Sequence, residues 1–423
     1  MIHLGYRPLR LAGLSALLAL GYAGVSLGDS AQVLPIGRSG ILMSYTDYFP
    51  IDERYDSDGN REDLAADFNT SLDSSVFAGL QAVEIGFGMP AGSASFGDTV
   101  VQMEYDIKIF DLEYYYGITD KFTAGIKIPY WWVKSKVNAS VNSGAGSSAT
   151  VGFNPAFDPS DPFSPPIIPI TLGGQPATDD DIQAILGPGV TINGGLAVPG
   201  FGYDQFETWS GEGLSDVEVS GRYQYLKTDK WRHAFTAGIR IPTGEIDDPD
   251  NLADFPFGLG AYQLLLRSNH DVALSDKATL NLSLKYDIVG SDRQEKRVPT
   301  DVNQPITSNK VVVDIDYGNV FELDTTATYR FTPQWSTFGR YRFTHKQSNE
   351  VSGPPGVNVD SLEAETDREG QQFQVGVAYS TVSRYLDGSA KVPFRVAMSY
   401  RDRFAGKNLL DSQYLKLEGQ LFF

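Results

Sequence analysis

The chain holds four histidines, at positions 3, 233, 270 and 345, and no cysteine among its 423 residues. Hydrolase-type catalysis needs a hydroxyl or thiol beside an imidazole that a carboxylate orients. None of the histidines has a Ser or Asp partner at a spacing that suggests such a triad. Without cysteine, a disulfide framework and a thiolate metal site are both excluded. The runs Asp179-Asp180-Asp181 and Asp247-Asp248 could offer paired carboxylates, although such runs are mostly solvated loop charge. Asp56-Ser57-Asp58-Gly59-Asn60 resembles part of a calcium loop but lacks the glycine position and the closing bidentate Glu of a full one. No phosphate-cradling glycine motif occurs. The expectation is therefore a protein without catalytic residues, cofactor or resident metal. Net charge points the same way for nucleic acid: 34 Lys and Arg stand against 53 Asp and Glu, a balance of -19 with no basic run to meet phosphates.

The residues the chain has in plenty are ordered with a period of two. Thr279 to Ile288 is polar at 279, 281, 283, 285 and 287 and apolar at 280, 282, 284, 286 and 288. Asp216 to Tyr225 repeats the pattern, and Asp314 to Phe331 carries it further. Sustained alternation marks strands with one apolar face and one wet face. The connections have a rhythm as well. Short turns at Thr119-Asp120-Lys121, Thr228-Asp229-Lys230, Ser275-Asp276-Lys277 and Thr332-Pro333-Gln334 alternate with long loops near 136–210, 245–256, 292–308 and 349–367. Outer-membrane barrels pair short periplasmic turns with long extracellular loops in this way. The 24 Phe, 22 Tyr and 5 Trp suit their aromatic rims.

Export is legible at the N-terminus. Arg7 and Arg10 precede the short apolar run Leu11–Leu20, and Ser26 and Gly28 suit cleavage before Asp29, so residues 1–28 are expected to be a signal peptide. The run is short for a membrane anchor, and no apolar stretch long enough for a spanning helix follows. A closed barrel then satisfies every backbone group in lipid, and residues 29–423 are expected to form one such domain.

Strands are expected near 99–118, 122–135, 213–227, 233–244, 258–274, 278–290, 310–331, 335–347, 369–381, 392–404 and 412–423. A twelfth is required at the start, from 38–49 or 77–88. The former is favoured, because Asp52 to Asp73 then reads as an external loop. The fold class is thus an all-β, antiparallel, up-and-down barrel of about twelve strands in the outer membrane of a Gram-negative cell. The apolar phase 101–109 passes to the other parity at Phe110, Leu112, Tyr114 and Tyr116, which predicts a β-bulge at Ile109–Phe110. The last strand, apolar at 415, 417, 421 and the terminal Phe423, resembles the signal read by the barrel assembly machinery, with Gly419 one place off the usual glycine.

If the apolar phase meets lipid and lipopolysaccharide, the other phase lines the lumen. Candidates there are Lys127, Arg222, Arg240, Lys285, Asp314, Asp316, Arg340, Arg342, Arg395, Arg401, Arg403 and Glu418. Glu104, Asp106, Asp111, Glu113, Asp216, Glu218, Arg267, Asp271, Asp287, Glu322, Asp324, Arg330 and Lys416 share their phase. So much paired charge suits either a network that fills the barrel or the wall of a narrow pore. Arg340/Arg342 and Arg395/Arg401/Arg403 repeat one sign along one face, which favours the pore for them. The long loop 136–210, with a short helix expected at Asp179–Leu186, could constrict the mouth or lie free on the surface.

A family resemblance completes the reading. Gly211-Glu-Gly-Leu-Ser-Asp-Val-Glu-Val-Ser-Gly-Arg-Tyr223, Ala237-Gly-Ile-Arg-Ile-Pro-Thr-Gly-Glu245 and Tyr116-Gly-Ile-Thr-Asp-Lys121, followed by Gly125 and Pro129, resemble outer-membrane proteins associated with meta-pathway phenol-degradation gene clusters. Ser215 stands where that pattern has a second glycine. The resemblance implies an outer-membrane channel for uptake of small solutes, aromatic or hydrophobic ones among them, and carries no catalytic residues with it. A barrel that serves only as a surface or structural protein is the other class open to this sequence.

Overall fold

The computed structural model describes residues 30–192, 195–299 and 306–423, so the expected signal peptide lies outside the described residues. Twelve antiparallel strands close into one barrel: β1 (Ser39–Tyr48), β2 (Ser95–Thr119), β3 (Phe122–Asn142), β4 (Val217–Lys227), β5 (Trp231–Ile241), β6 (Gln263–Ala273), β7 (Ala278–Val289), β8 (Val320–Arg330), β9 (Trp335–Lys346), β10 (Arg368–Ser380), β11 (Phe394–Lys407) and β12 (Gln413–Phe422). Each strand pairs with its neighbours in sequence. β1 closes the ring on β12, from Gly40↔Phe422 to Tyr48↔Tyr414. Closure leaves no edge, which is what hydrocarbon demands of a sheet.

Alternation decides which face is which. Val219, Tyr223, Phe235, Ile239, Leu282, Leu284, Val375, Val377, Leu415 and Leu417 are each more than a third exposed, and they form the lipid-facing band. Two aromatic girdles bound it. One runs along the short-turn rim, where Trp335 meets Tyr379 at 5.0 Å and Tyr379 meets Phe394 at 6.0 Å. The other runs near the long loops, with Tyr130 on Trp132 at 4.8 Å and Phe373 on Phe404 at 6.2 Å. Amphipathic rings settle at such interfaces, so the girdles fix the depth of the barrel.

Several expectations need correction. Residues 310–331 form two strands, since Tyr317-Gly318-Asn319 breaks the run, and Lys310–Asp316 belongs to a separate sheet with Ser291–Arg297 and Glu350–Ser352. Asp314 and Asp316 therefore lie exposed on that extracellular sheet and not in the lumen. Residues 213–227 are split as well: Trp209–Leu214 pairs with Tyr130–Ser135, and β4 starts at Val217. The first seven residues assigned to the loop 136–210 continue β3.

The β2–β3 ladder runs unbroken from Asp98 to Gly117, so no bulge stands at Ile109–Phe110; the irregularity falls at Gly117/Thr119. The parity of the strand never changes. Val101, Met103, Tyr105, Ile107 and Ile109 face inward like Asp111 and Glu113, but at a height where apolar loops fill the barrel. Glu104 and Asp106 accordingly face outward above the lipid band, next to Lys136 and Lys108.

The 39–48 strand is β1, and 77–88 holds a helix, α1 (Leu80–Phe87), within the first extracellular loop. The helix expected at Asp179–Leu186 is α2, opened by a capping box between Thr178 and Asp181. Both helices pack into an extracellular cluster around Phe77, Phe96, Phe153, Ile182 and Ile185.

Candidate functional site: the barrel lumen

The inward phase brings ionisable groups from neighbouring strands together. Asp324, fully buried on β8, receives Arg340 at 3.1 Å and Arg342 at 2.6 Å from β9, with Lys285 of β7 at 3.9 Å. Glu322, one step along β8, takes Lys285 at 2.6 Å and Arg342 at 3.4 Å. Glu218 of β4 accepts Arg240 at 2.9 Å and Arg267 at 3.3 Å, and Arg240 reaches Asp287 at 3.4 Å. Asp111 pairs with Lys127 at 3.2 Å and with Lys416 at 4.0 Å, and Lys416 lies 4.0 Å from Glu418. A buried ion costs several kcal/mol in desolvation, which only a well-placed partner offsets. The network therefore fixes register as much as it fills space.

Arg395 points inward half-buried, Arg401 and Arg403 are buried on the same face of β11, and Arg330 sits exposed at the periplasmic rim, bonded to Asp276 O. His233 and His270 are on the lipid side, 2.7 Å apart through their Nδ1 atoms, and His345 lies beside Glu369. In the Asp56–Asn60 turn, the Asp56 carboxylate accepts the amides of Asp58 and Asn60 at 2.8 Å each, so it already serves to close the turn.

Residues 30–36 cross the periplasmic end of the lumen. Ala31 N donates to Asp271 at 3.0 Å, Ala31 O accepts Gln224 at 2.6 Å, Gln32 O accepts Arg222 at 3.3 Å, and Leu34 N donates to Thr123 at 2.8 Å. Ala31 and Leu34 are buried. The barrel thus has a floor, made by side chains that alternate inward near the short turns. Charge pattern alone did not reveal this segment.

The other end is closed by aromatic packing. The β5–β6 loop (242–262) turns into the mouth and buries Phe255 and Phe257; Phe255 lies 5.6 Å from Tyr105 and 5.9 Å from Trp131. The loop is held at its base, where Asp216 accepts the amides of Gly244 at 3.1 Å and Leu259 at 3.3 Å. Thr243 Oγ1 donates to Ser215 O at 2.8 Å and accepts from Val217 N at 3.1 Å. A Cβ on Gly244 would stand 2.6 Å from the Phe257 and Gly258 backbone, so only glycine fits. The sequence signal for this lid was Phe255-Pro256-Phe257, an apolar triplet in an otherwise acidic loop.

Ladder and lid line a cavity of about 180 Å³, with Tyr48, Ile109, Trp131, Leu409 and Tyr414 on one part of its wall and the ion pairs of Glu218 and Glu322 on another. That is ample for several waters at ~10–15 Å³ each. A second, apolar cavity of about 80 Å³ lies among the extracellular loops, between Phe68, Phe77, Ile182, Leu186 and Phe206.

Comparison with known proteins bears on this architecture. Residues 169–409, more than half of the chain, match the family described as "Putative MetA-pathway of phenol degradation". The chain belongs to this family. Ser215-Asp216 and Thr243-Gly244 are the two sides of the base on which the lid is seated.

No curated protein sequence matches the chain. Among solved structures, an outer-membrane channel of Pseudomonas putida F1 is similar at 13% identity, with a TM-score of 0.51 over 95% of this chain and 100% of that one. At that identity the likeness concerns the fold. The toluene transporter TbuX of Ralstonia pickettii (11% identity, 92% and 90% covered, TM-score 0.36) and a FadL homologue of Pseudomonas aeruginosa (12%, 91% and 89%, 0.32) are too distant to carry an argument. The family member is an outer-membrane β-barrel.

Proposed function

We propose that this barrel is an outer-membrane channel for passive or facilitated uptake of small aromatic or hydrophobic solutes, and that it does no covalent chemistry. The observation that carries the reading is the cavity beneath the lid, lined in part by Tyr48, Trp131 and Tyr414, in a barrel whose periplasmic end is crossed by a hydrogen-bonded segment. A barrel built only for stability has no need of an internal cavity, whereas a gated path needs one with removable ends. The apolar pocket among the extracellular loops supports capture of the solute before it enters. Lys127, Arg222, Arg240, Lys285, Arg340, Arg342, Arg395, Arg401, Arg403 and Glu418 then serve as the polar wall of the path. The terminal strand, ending in the exposed Phe423, supports delivery to the membrane by the assembly machinery.

One observation favours the second reading, a barrel without transport: the lumen is densely ion-paired and its periplasmic end is occupied by residues 30–36. Uptake of radiolabelled toluene by porin-depleted cells with intact lipopolysaccharide separates the two. Severalfold faster uptake on expression of the protein is expected. Rates equal to the empty-vector control, with the barrel folded in the membrane, would overturn the channel reading.

A further inference from the structure

The charge of the cavity opposes the charge of the chain. Its wall carries ten Lys and Arg against six Asp and Glu, in a protein whose net charge is -19. Lys127, Arg240, Arg267, Lys285, Lys296 and Arg342 each meet a carboxylate. The excess is gathered in one sector, on the lumenal face from the end of β9 to β11, and comprises Lys346, Arg368, Arg401 and Arg403.

Three of these make no ion pair among the described residues. Lys346 donates only to neutral oxygens, those of Gln347, Asn349 and Thr366. Arg401 gives one amine to Ser412 Oγ at 2.9 Å, and Arg403 gives one to Leu410 O. The Nε atoms of both arginines and the hydroxyl of Tyr414 are buried with no hydrogen-bond partner, and their residues are 2%, 4% and 0% exposed. Two nearby carboxylates are engaged elsewhere, Asp411 with Arg61 at 3.0 Å and Asp367 with Lys407 at 2.6 Å. A buried cation without a counter-charge is costly to keep. An anion seated in the cavity removes that cost.

We propose that the lumen binds an organic monoanion, a small apolar or single-ring body bearing one carboxylate, with the carboxylate held by Arg401 and Arg403. The planar guanidinium fork is matched to a carboxylate. The apolar body has its own surface beside it: Arg401 lies 4.6 Å over the Tyr414 ring, Tyr48 meets Tyr414 at 5.0 Å, and Trp131 and Ile109 continue the wall. The volume of about 180 Å³ suits one ring, since a void of ~150 Å³ accommodates benzene. This inference rests on the uptake reading and narrows its solute class.

The test is equilibrium binding to the detergent-purified mature barrel at about pH 8, with benzoate and its neutral counterpart benzyl alcohol as probes. Benzoate is expected to bind at least roughly tenfold more tightly, because hydrogen bonds to a charged group outweigh neutral ones. In the double variant R401Q/R403Q the preference of benzoate over benzyl alcohol falls to within about twofold. Equal affinities for the wild type, or an undiminished preference in the folded variant, would overturn the proposal. If R401Q/R403Q does not fold, R401K/R403K decides: a weakened preference supports the site and an unchanged one refutes it. Toluene uptake without benzoate preference sinks this inference alone, and benzoate binding without any uptake sinks the channel reading alone.

Discussion

Asp216 and Gly244 meet across the base of the lid, the carboxylate accepting the glycine amide at 3.1 Å while its other oxygen holds Leu259 N at 3.3 Å. One side chain thus grips both ends of the loop that puts Phe255 and Phe257 into the mouth. Hydrogen bonds to a charged acceptor are worth ~1.5–3 kcal/mol each. Replacing Asp216 by Ala is expected to release the lid without unfolding the barrel. Limited proteolysis should then cut within 245–256 faster than in the wild type, and toluene uptake should rise; unchanged cleavage would show that the lid is held elsewhere.

The Asp324 carboxylate stabilises three cations at once. Its change to Asn removes one of the two carboxylates, Asp324 and Glu322, that this group of three buried cations shares, at an expected cost of about 3–5 kcal/mol. Urea unfolding followed by heat-modifiable gel mobility measures this. Adding Arg342→Met to the same variant should restore part of the loss, and a double variant no better than the single one contradicts the ion-pair account.

The floor is held by hydrogen bonds donated by Arg222 and Gln224 and accepted by Asp271 and Thr123, with little apolar burial beyond Ala31 and Leu34. Deleting residues 30–36 from the mature chain should leave the strands intact and raise single-channel conductance in planar bilayers severalfold. Conductance identical to the wild type would place the restriction at the lid instead.

The lid also carries a titrating group. Burial, reinforced by the neighbouring Asp247 charge, pushes the Asp254 carboxyl up to about 7. Because its value in the seated loop exceeds the ordinary carboxylate value, the seated loop binds the proton more tightly than the released one. Lid stability is therefore greatest at acid pH and declines as pH rises from about 4 through about 7. Cleavage of the loop at pH 8 should outpace cleavage at pH 5, after correction for protease activity, and Asp254→Asn should flatten the difference. A slope of the opposite sign would refute the assignment.

Much of the barrel was written in local alternation. Thr279 to Ile288 became β7 almost residue for residue, and the helix expected from the acidic start at Asp179 became α2 with the same bounds. Alternation failed where the partner of a face was not lipid. Val101 to Ile109 is apolar because loops fill the barrel at that height, so a change of environment along one face imitated a change of parity. Asp314 and Asp316 alternate equally well, but on a sheet outside the barrel. Phe255, the residues 30–36 and the unpaired arginines acquire meaning only from contacts distant in sequence, which no window of ten residues contains.

The barrel wall has unequal height. β2 and β3 run 25 and 21 residues where β1 and β12 run ten. At ~3.3 Å per residue and a tilt near ~40°, β2 rises roughly 60 Å, against an apolar band of ~25 Å. The β2–β3 hairpin therefore stands within the saccharide layer of the cell surface, while its neighbour β1 ends nearer the lipid headgroups. Anything that approaches the cell surface beside this hairpin meets a protein wall well before it reaches the lipid.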